Sequence, residues 1–328
     1  MTNIQKVAEL ASVSVATVSR VINNSDKVLP ETRAKVEDAI KKLNYVPNML
    51  ARNFRTAESR SLLVMVTSIS NLYYMETVHG ISEYAYENGY DILLSETKED
   101  VKRQIEGLLK VKNHIADGAI IMESTIKDNM LMTLEKEHPV VQCSVYGGDA
   151  PVPFVSIDNV KGGYIGVRFL IERGHKRIAF IGTQDEAKYN EDRLTGFLQG
   201  ISEAGIQQDE ELLVKTSLNF EGGGSTALEL MKLTERPTAM FFASDMQAIG
   251  AIHSLKEAGY DIPGDVAVLG FDNLEICNIV SPGLTTVAQP MHDIGREAAR
   301  VLIERIKGET GNIKNVIFQP QIIVRGSV

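Results

Sequence analysis

The feature that most constrains the fold is a regular alternation of short apolar runs with amphipathic helical patterns from Ser61 onward. Such alternation predicts parallel sheets covered by helices on both faces. This region is longer than a typical single α/β domain, so we expect two lobes. The predicted strands are Leu62–Thr67, Asp91–Ser95, Gly118–Met122, Val140–Val145, Val155–Ile157, Ile178–Gly182, Ala239–Ala243 and Val266–Phe271. The predicted helices are 75–88, 100–113, 127–137, 160–173, 191–204, 223–234 and 246–258.

The first sixty residues form a separate, basic segment. Residues 1–60 carry ten basic and six acidic side chains, a net charge of +4, whereas the remainder carries 24 basic and 37 acidic side chains, a net charge of −13. Phosphate attracts the first part and is repelled by the second. If this chain binds nucleic acid, we therefore expect it to do so through the basic segment alone.

The basic segment has the spacing of a helix-turn-helix motif. Ser14 can cap a second helix that continues to Asn23, and a third helix is predicted from Pro30 to Leu43. In this motif the second helix enters the major groove by its N-terminus. The same spacing also fits a small three-helix bundle with no role in DNA binding. The residues of the second helix that we expect to face DNA are Val15, Ala16, Thr17, Ser19 and Arg20.

Several motifs of this segment resemble the LacI/GalR family of transcriptional repressors. They are Ala16–Asn23, Thr32-Arg33 and the run from Asn44 to Asn48. The resemblance adds Asn23 to the DNA-binding set and implies a hinge helix in the minor groove after Asn48. Its wedge side chain falls on Phe54, where the family usually has Leu, and Leu50 is the alternative. The hinge residues that the resemblance assigns to DNA are Leu50, Arg52, Phe54 and Arg55.

Aromatic and polar side chains follow the predicted strands of the body. Ligands of such sheets bind beyond the carboxyl ends of the strands. Rings beside carboxylate and guanidinium groups suit a sugar or a nucleoside, because rings stack on apolar faces and polar groups bond hydroxyls. Among the residues at these positions, the family resemblance assigns effector binding to Tyr73, Tyr74, Arg193, Phe220 and Asp272, and Asp158 and Asp245 are further candidates.

The family resemblance continues through the body, and it implies a periplasmic-binding-protein-like fold. The motifs that carry it are Gly174–Ala179, Arg193–Phe197, Leu269–Asn273, Leu284–Val287 and Gln289-Pro290. We therefore expect an α/β protein with an all-α helix-turn-helix headpiece and two doubly wound parallel sheets. The expected parts are the headpiece 1–46, a hinge helix and linker 47–60, and an effector-binding and dimerisation domain 61–328. In that domain we expect lobe one at 61–159 and 289–320, and lobe two at 160–288 and 321–328.

No sequence pattern indicates an enzyme or a metal site. The two cysteines, Cys143 and Cys277, are far apart, and the six histidines lack zinc-binding spacing. Phosphate-binding loops and nucleophile elbows do not occur, and Gly222–Gly224 is interpreted as a flexible helix entry. The N-terminus lacks an apolar leader and no run is long enough to span a bilayer, so we expect a cytoplasmic protein.

These observations predict a sequence-specific transcriptional regulator, in its favoured form a repressor, without cofactor or enzymatic activity. We expect a homodimer, or a tetramer, on a pseudo-palindromic operator. A sugar or nucleoside between the lobes would change its affinity for DNA. The motifs Arg52-Asn53, Glu58–Arg60 and Ile323–Ser327 resemble the cytidine-repressor branch of the family. An effector-dependent activator and a solute-binding protein remain as alternatives.

Overall fold

The computed structural model describes residues 3–22, 27–45, 58–122, 126, 128–146, 152–184, 187–308 and 315–328. Internal contacts divide the chain into two units, Met1–Glu58 and Ser59–Val328. The described part of the first unit is helical, and the second contains two parallel-sheet layers. The predicted α/β class with N-terminal helices and two lobes is therefore confirmed.

Three helices occur in the described part of the N-terminal unit. Ser14 Oγ accepts a hydrogen bond from the first-turn backbone N–H of Thr17 at 3.1 Å, so Ser14 caps the second helix as predicted. Val7, Val18 and Val36, one from each helix, have no exposed surface and close a small apolar core. The helices are α1 (Ile4–Leu10), α2 (Val15–Ile22) and α3 (Pro30–Lys42).

The second unit contains twelve strands and eight α-helices among its described residues. The strands are β1 (Ser61–Val66), β2 (Asp91–Glu96), β3 (Gly118–Ile121), β4 (Val140–Cys143), β5 (Phe154–Ile157), β6 (Ile178–Thr183), β7 (Leu213–Thr216), β8 (Ala239–Phe242), β9 (Ala267–Asp272), β10 (Thr285–Ala288), β11 (Val316–Phe318) and β12 (Gln321–Ile323). The helices are α4 (Leu72–Glu87), α5 (Val101–Lys112), α6 (Asp128–Glu135), α7 (Asn159–Glu172), α8 (Lys188–Glu203), α9 (Phe220–Leu230), α10 (Asp245–Glu257) and α11 (Met291–Ile306). Two 3-10 turns, Glu210–Leu212 and Glu275–Asn278, complete the regular structure of this part.

The strands form two six-stranded sheets, which define the two lobes. Lobe one has the strand order β11-β5-β4-β3-β1-β2 and lobe two the order β12-β10-β9-β8-β6-β7. The pairs in both sheets are parallel except for β12 against β10. Because α11 packs on α4, β3 and β4, and α7 packs on α8 and β10, the chain crosses between lobes after β5, after β10 and after β11.

The central strands are apolar because both faces of each sheet are covered. In β1, Leu62 to Val66 have no exposed surface, and β6, β8 and β9 are buried along their whole length. Such continuous apolar runs are what parallel sheets require. In both lobes the site residues lie at the carboxyl ends of these strands.

Asp117 fixes the point at which the chain enters lobe one. Its carboxylate accepts hydrogen bonds from Ser59 N at 2.6 Å, Ser59 Oγ at 2.8 Å and Arg60 N at 2.9 Å. The Arg60 guanidinium lies 5.3 Å from the centre of the Tyr90 ring. Hydrogen bonds from backbone N–H groups to a carboxylate are charge-assisted and strong. The residues just before β1 are therefore held to the residue just before β3.

Candidate functional site

The exposed face of α2 carries predicted DNA-contacting residues. Val15, Ala16 and Arg20 are exposed, and Thr17 and Ser19 are half-buried. The opposite face of α2 is buried in the core of the unit, so the predicted residues lie along the outward side of the helix. The predicted DNA contacts that lie outside the described residues are Asn23, Leu50, Arg52, Phe54 and Arg55.

A cavity of about 490 Å³ opens between the two lobes at the carboxyl ends of their strands. This is the location expected for ligands of doubly wound sheets. Five predicted effector residues line it, namely Tyr73, Tyr74, Arg193, Phe220 and Asp272. From lobe one, the lining residues are Ser68, Ser70, Asn71, Leu72, Tyr73, Tyr74, Ser144 and Val145. From lobe two and the second crossover, they are Tyr189, Arg193, Leu218, Asn219, Phe220, Glu221, Ala243, Ser244, Met246, Asp272, Leu274 and Gln289.

Arg193 is held on several sides in the wall of lobe two. Its Nε donates to Asn159 Oδ1 at 2.9 Å, and its Nη1 donates to the carbonyl oxygen of Ala243 at 2.5 Å. Its guanidinium carbon lies 3.6 Å from the centre of the Phe271 ring. Only 5% of the residue is exposed. A planar guanidinium suits such a site because it bonds in its plane and stacks through its face.

Two glycines set the position of Arg193. A Cβ at Gly163 on α7 would lie 1.9 Å from the carbonyl oxygen of Arg193, and a Cβ at Gly196 would lie 1.8 Å from that of Val160. The backbones of α7 and α8 therefore touch where these helices cross. Any larger residue at Gly163 or Gly196 would push the helices apart and move Arg193 away from Asn159.

Asp272 lies beside Arg193 at the carboxyl end of β9. Gln289 Nε2 donates to Asp272 Oδ1 at 2.6 Å, and Arg193 Nη1 is 3.9 Å from the same oxygen. Burial raises the pKa of Asp272, the Arg193 charge opposes that rise, and the Asp245 charge adds to it. The backbone φ of Asp272 is 120°, a value that L-residues rarely adopt. The surrounding structure therefore imposes the position of this carboxyl group.

Tyr73 and Tyr74 occupy the first turn of α4 in the opposite wall. Asn71 caps this helix by accepting a hydrogen bond from Tyr73 N at 3.0 Å. The two rings lie 5.9 Å apart in an edge-to-face arrangement, and Tyr73 Oη donates to Gln289 Oε1 at 3.3 Å. Burial raises the pKa of Tyr73, so its phenol stays protonated at neutral pH. This wall therefore offers rings and neutral hydroxyl groups.

Phe220 begins α9 on the side of lobe two. Asn219 Oδ1 caps this helix by accepting from Gly222 N at 2.8 Å, and the Phe220 ring lies 5.3 Å from the His253 imidazole. The run Gly222–Gly224 belongs to α9 itself and does not form a separate flexible entry. A Cβ at Gly223 would lie 2.0 Å from the carbonyl oxygen of Gln247. The glycines therefore allow α9 to pack closely on α10 and hold Phe220 at the cavity.

Asp158 and Asp245, also predicted as effector contacts, do not line the cavity. Asp158 caps α7, its Oδ1 accepting from Lys161 N at 2.8 Å. Asp245 has no exposed surface, and its carboxylate accepts from Thr286 Oγ1 at 2.6 Å and from Leu274 N at 2.8 Å. Burial raises the pKa of Asp245, while these hydrogen bonds oppose the rise. Both carboxylates are occupied by the protein's own donors.

Gln289, Tyr189 and Ser144 line the cavity without having been predicted to bind the effector. Gln289 joins the two walls because it bonds both Tyr73 and Asp272. Its signal was available in the sequence, because Gln289-Pro290 is one of the motifs that carry the family resemblance. Among the described residues, no group of three or more potential ligands could hold a metal ion. No described helix is long and apolar enough to cross a membrane.

Comparisons with known proteins agree with this architecture. Residues 3–48 match bacterial regulatory proteins of the lacI family, and residues 167–328 match a periplasmic binding protein-like domain. The chain is 36% identical over 328 residues to the transcriptional regulator RegA of Clostridium saccharobutylicum, covering 99% of each chain. It is 33% identical to the transcriptional repressor CytR of Escherichia coli strain K12, covering 98% of this chain and 94% of that one.

A solved structure extends the likeness to both units. The chain aligns with the lac repressor dimer bound to operator and the anti-inducer ONPF, with a TM-score of 0.89 and 25% identity, covering 99% of this chain and 98% of that one. The match of residues 3–48 to regulatory proteins argues against the alternative of a solute-binding protein without DNA function. The chain belongs to the LacI/GalR family of DNA-binding transcriptional regulators.

Proposed function

We propose that this regulator is a homodimeric repressor of a pseudo-palindromic operator and that an uncharged sugar or nucleoside between its lobes controls its affinity for DNA. The observation that carries the proposal is the cavity, which combines tyrosine rings with the Arg193–Asp272 pair. CytR is named as a repressor, and the aligned lac repressor is a dimer with operator and a small molecule bound. These similarities support an operator-binding dimer with a small-molecule site for this chain as well.

The charges of the cavity favour an uncharged ligand. Among the described lining residues, Arg193 is the only cation, and it already lies beside Asp272. The remaining charged lining residue, Glu221, is acidic. A phosphate or carboxylate ligand would meet one cation that already has an acidic neighbour, and a second acidic side chain, whereas hydroxyl groups can bond both Arg193 and Asp272.

The proposed DNA surface is the outward row of α2 together with the hinge. Arg20 is exposed and can form two hydrogen bonds to guanine, while Thr17 and Ser19 suit phosphate or base edges. Val15 and Ala16 suit a thymine methyl group. Asn23 and the hinge residues Leu50, Arg52, Phe54 and Arg55 complete the proposed set, with either Phe54 or Leu50 as the wedge.

An exposed apolar stripe supports the proposed dimer. Val101, Ile105 and Leu109 recur at intervals of four along α5, and all three are exposed. An exposed apolar row of this kind is a site for association. A second copy of the chain, related by a two-fold axis, would cover it with the same residues.

The effector proposal can be tested by thermal unfolding of the full chain with D-ribose, cellobiose, cytidine and adenosine, and with ribose 5-phosphate and cytidine monophosphate. We expect an uncharged compound to raise the midpoint, because a ligand of the folded state stabilises it by mass action. The Asp272→Asn variant should lose that increase. Stabilisation by the phosphorylated compounds alone would contradict the proposal.

The DNA proposal can be tested with Arg20→Ala on an operator selected from random sequences by the wild-type chain. We expect a loss of specific affinity of about 10- to 100-fold, since a bidentate contact to guanine contributes about 1–3 kcal/mol. Lys41→Ala is the control, because Lys41 is also exposed but lies on α3. Equal losses for the two variants would mean that Arg20 adds only charge.

A further inference from the structure

One polar contact joins the two lobes outside the cavity. Tyr146 follows β4 of lobe one, and its phenol donates a hydrogen bond to Asp192 Oδ2 on α8 of lobe two. The other carboxylate oxygen, Asp192 Oδ1, pairs with Lys188 Nζ on the same helix. Neither Tyr146 nor Asp192 is among the residues that line the cavity. The contact therefore lies outside the lining of the cavity.

The surroundings hold both partners in place. The Tyr146 ring stacks on Phe154, with ring centres 4.9 Å apart and planes inclined by 19°. Asp192 is buried. Burial raises the pKa of Tyr146, and the hydrogen bond to Asp192 raises it further, so the phenol remains a donor at neutral pH. A buried carboxylate that loses this donor would be left poorly solvated.

The contact is connected to the cavity through α8. Asp192 directly precedes Arg193, and Tyr189, one turn earlier, also lines the cavity. Asn159 accepts a hydrogen bond from Arg193 Nε at 2.9 Å, and its amide also interacts with the Tyr146 phenol. A movement of Tyr146 away from Asp192 would therefore loosen the helix that presents Arg193.

We propose that Tyr146 and Asp192 are positioning residues that clasp the lobes together independently of the effector. The clasp raises the closed fraction of the protein, so an effector that binds between closed lobes meets a preformed site. This inference rests on the proposed function only in its consequence for effector binding. The clasp itself is a property of the chain and can be measured with no ligand present.

The experiment measures the distance between the lobes in the full chain by electron–electron double resonance. Spin labels are attached to cysteines introduced at Asn129, in the first turn of α6 in lobe one, and at Ser225, in the middle of α9 in lobe two, both of which are exposed. The native thiols of Cys143 and Cys277 are buried. Excess unlabelled chain ensures that an assembly carries one labelled copy.

Tyr146→Phe is compared with the matched variant Tyr164→Phe. Tyr164 Oη also donates to a carboxylate, Glu203 Oε2 at 2.8 Å, but both residues belong to lobe two. We expect Tyr146→Phe to raise the ratio of the long-distance to the short-distance population about tenfold, as loss of a hydrogen bond to a charged group implies. Tyr164→Phe should give the wild-type distribution.

A double variant tests whether Tyr146 and Asp192 act through the same interaction. Asp192→Asn added to Tyr146→Phe should open the lobes no more than Tyr146→Phe alone, because the two changes remove one interaction. A wild-type distance distribution for Tyr146→Phe, in protein with a wild-type circular dichroism spectrum, would overturn the clasp. If the lobes open as expected but no sugar or nucleoside binds the wild type, the clasp stands and the proposed effector class fails.

Discussion

The two walls of the cavity differ in chemistry. Among the described residues, the wall of lobe one is uncharged and consists mainly of hydroxyl groups, an amide and the rings of Tyr73 and Tyr74. The wall of lobe two contains the charged groups Arg193, Asp272 and Glu221. Arg193 and Asp272 are fixed by buried hydrogen bonds, which makes the charged wall pre-organised. We therefore expect lobe two to orient a ligand and lobe one to close over it.

The strongest test of this difference is Arg193→Ala. We expect effector affinity to fall at least about 100-fold and unfolding free energy to fall by about 3–5 kcal/mol, because Asp272 and Asn159 would be left buried without their partner. Isothermal titration with the compound identified by thermal unfolding, and urea denaturation, measure the two effects. Arg193→Lys keeps the charge but cannot make the same bonds, so full affinity in that variant would contradict the geometric role.

A smaller effect is expected from the pH dependence of the charged wall. Burial, opposed by Arg193, raises the pKa of Asp272. Between about pH 4 and this raised pKa, the folded state keeps a proton that the unfolded state has released, so the contribution of Asp272 to stability is greatest below about pH 4 and is lost as pH rises through the folded-state pKa. The slope should be on the order of 1 kcal/mol per pH unit.

Denaturation in urea between pH 5 and pH 8 measures this slope. Asp272→Asn should reduce it, because the amide does not titrate. Glu221→Gln is the control, since Glu221 is an exposed member of the same wall. A slope that Asp272→Asn leaves unchanged would mean that other groups are responsible.

The smallest effect is expected from the uncharged wall. Tyr73→Phe removes the hydroxyl group that donates to Gln289 at 3.3 Å and keeps the ring. We expect unfolding free energy to fall by about 1 kcal/mol and effector affinity to fall no more than about fivefold, as for one neutral hydrogen bond. Tyr86→Phe on the solvent side of α4 is the control, with Tyr86 81% exposed. A loss as large as that of Arg193→Ala would remove the distinction between the walls.

Most of the strands could be predicted from the sequence. Each of the eight predicted strands overlaps an observed one, and apart from the edge strand β2 their apolar runs are buried along most or all of their length. Four strands were not predicted. The strands β7, β11 and β12 are short edge strands, half-buried and without a clear pattern, whereas β10 is buried inside its sheet but has threonine at two of its four positions. The helix α11 was also not predicted, although it packs on lobe one through a buried apolar face.

Within the site, the rule that ligands bind beyond strand ends selected residues that line the cavity and also residues that do not. Arg193 and Asp272 follow strands and line it, but Asp158 and Asp245 also follow strands and serve the protein's own backbone and hydroxyl groups. A carboxylate after a strand has the same sequence signature in either role. Only three-dimensional contacts separate a helix cap from a group that faces a ligand.

The hydrogen bonds from Ser59 and Arg60 to Asp117 separate two parts of the chain. After Arg60 an inserted residue changes the register of the sheet, whereas before Ser59 it does not. Downstream of Arg60, β1 pairs with both β2 and β3, and one inserted residue would turn each buried side chain to the opposite face. Upstream of Ser59, an insertion leaves this pairing untouched, because Asp117 still receives the same donors. The spacing between the DNA-binding unit and the body can therefore change in evolution without any change in the body.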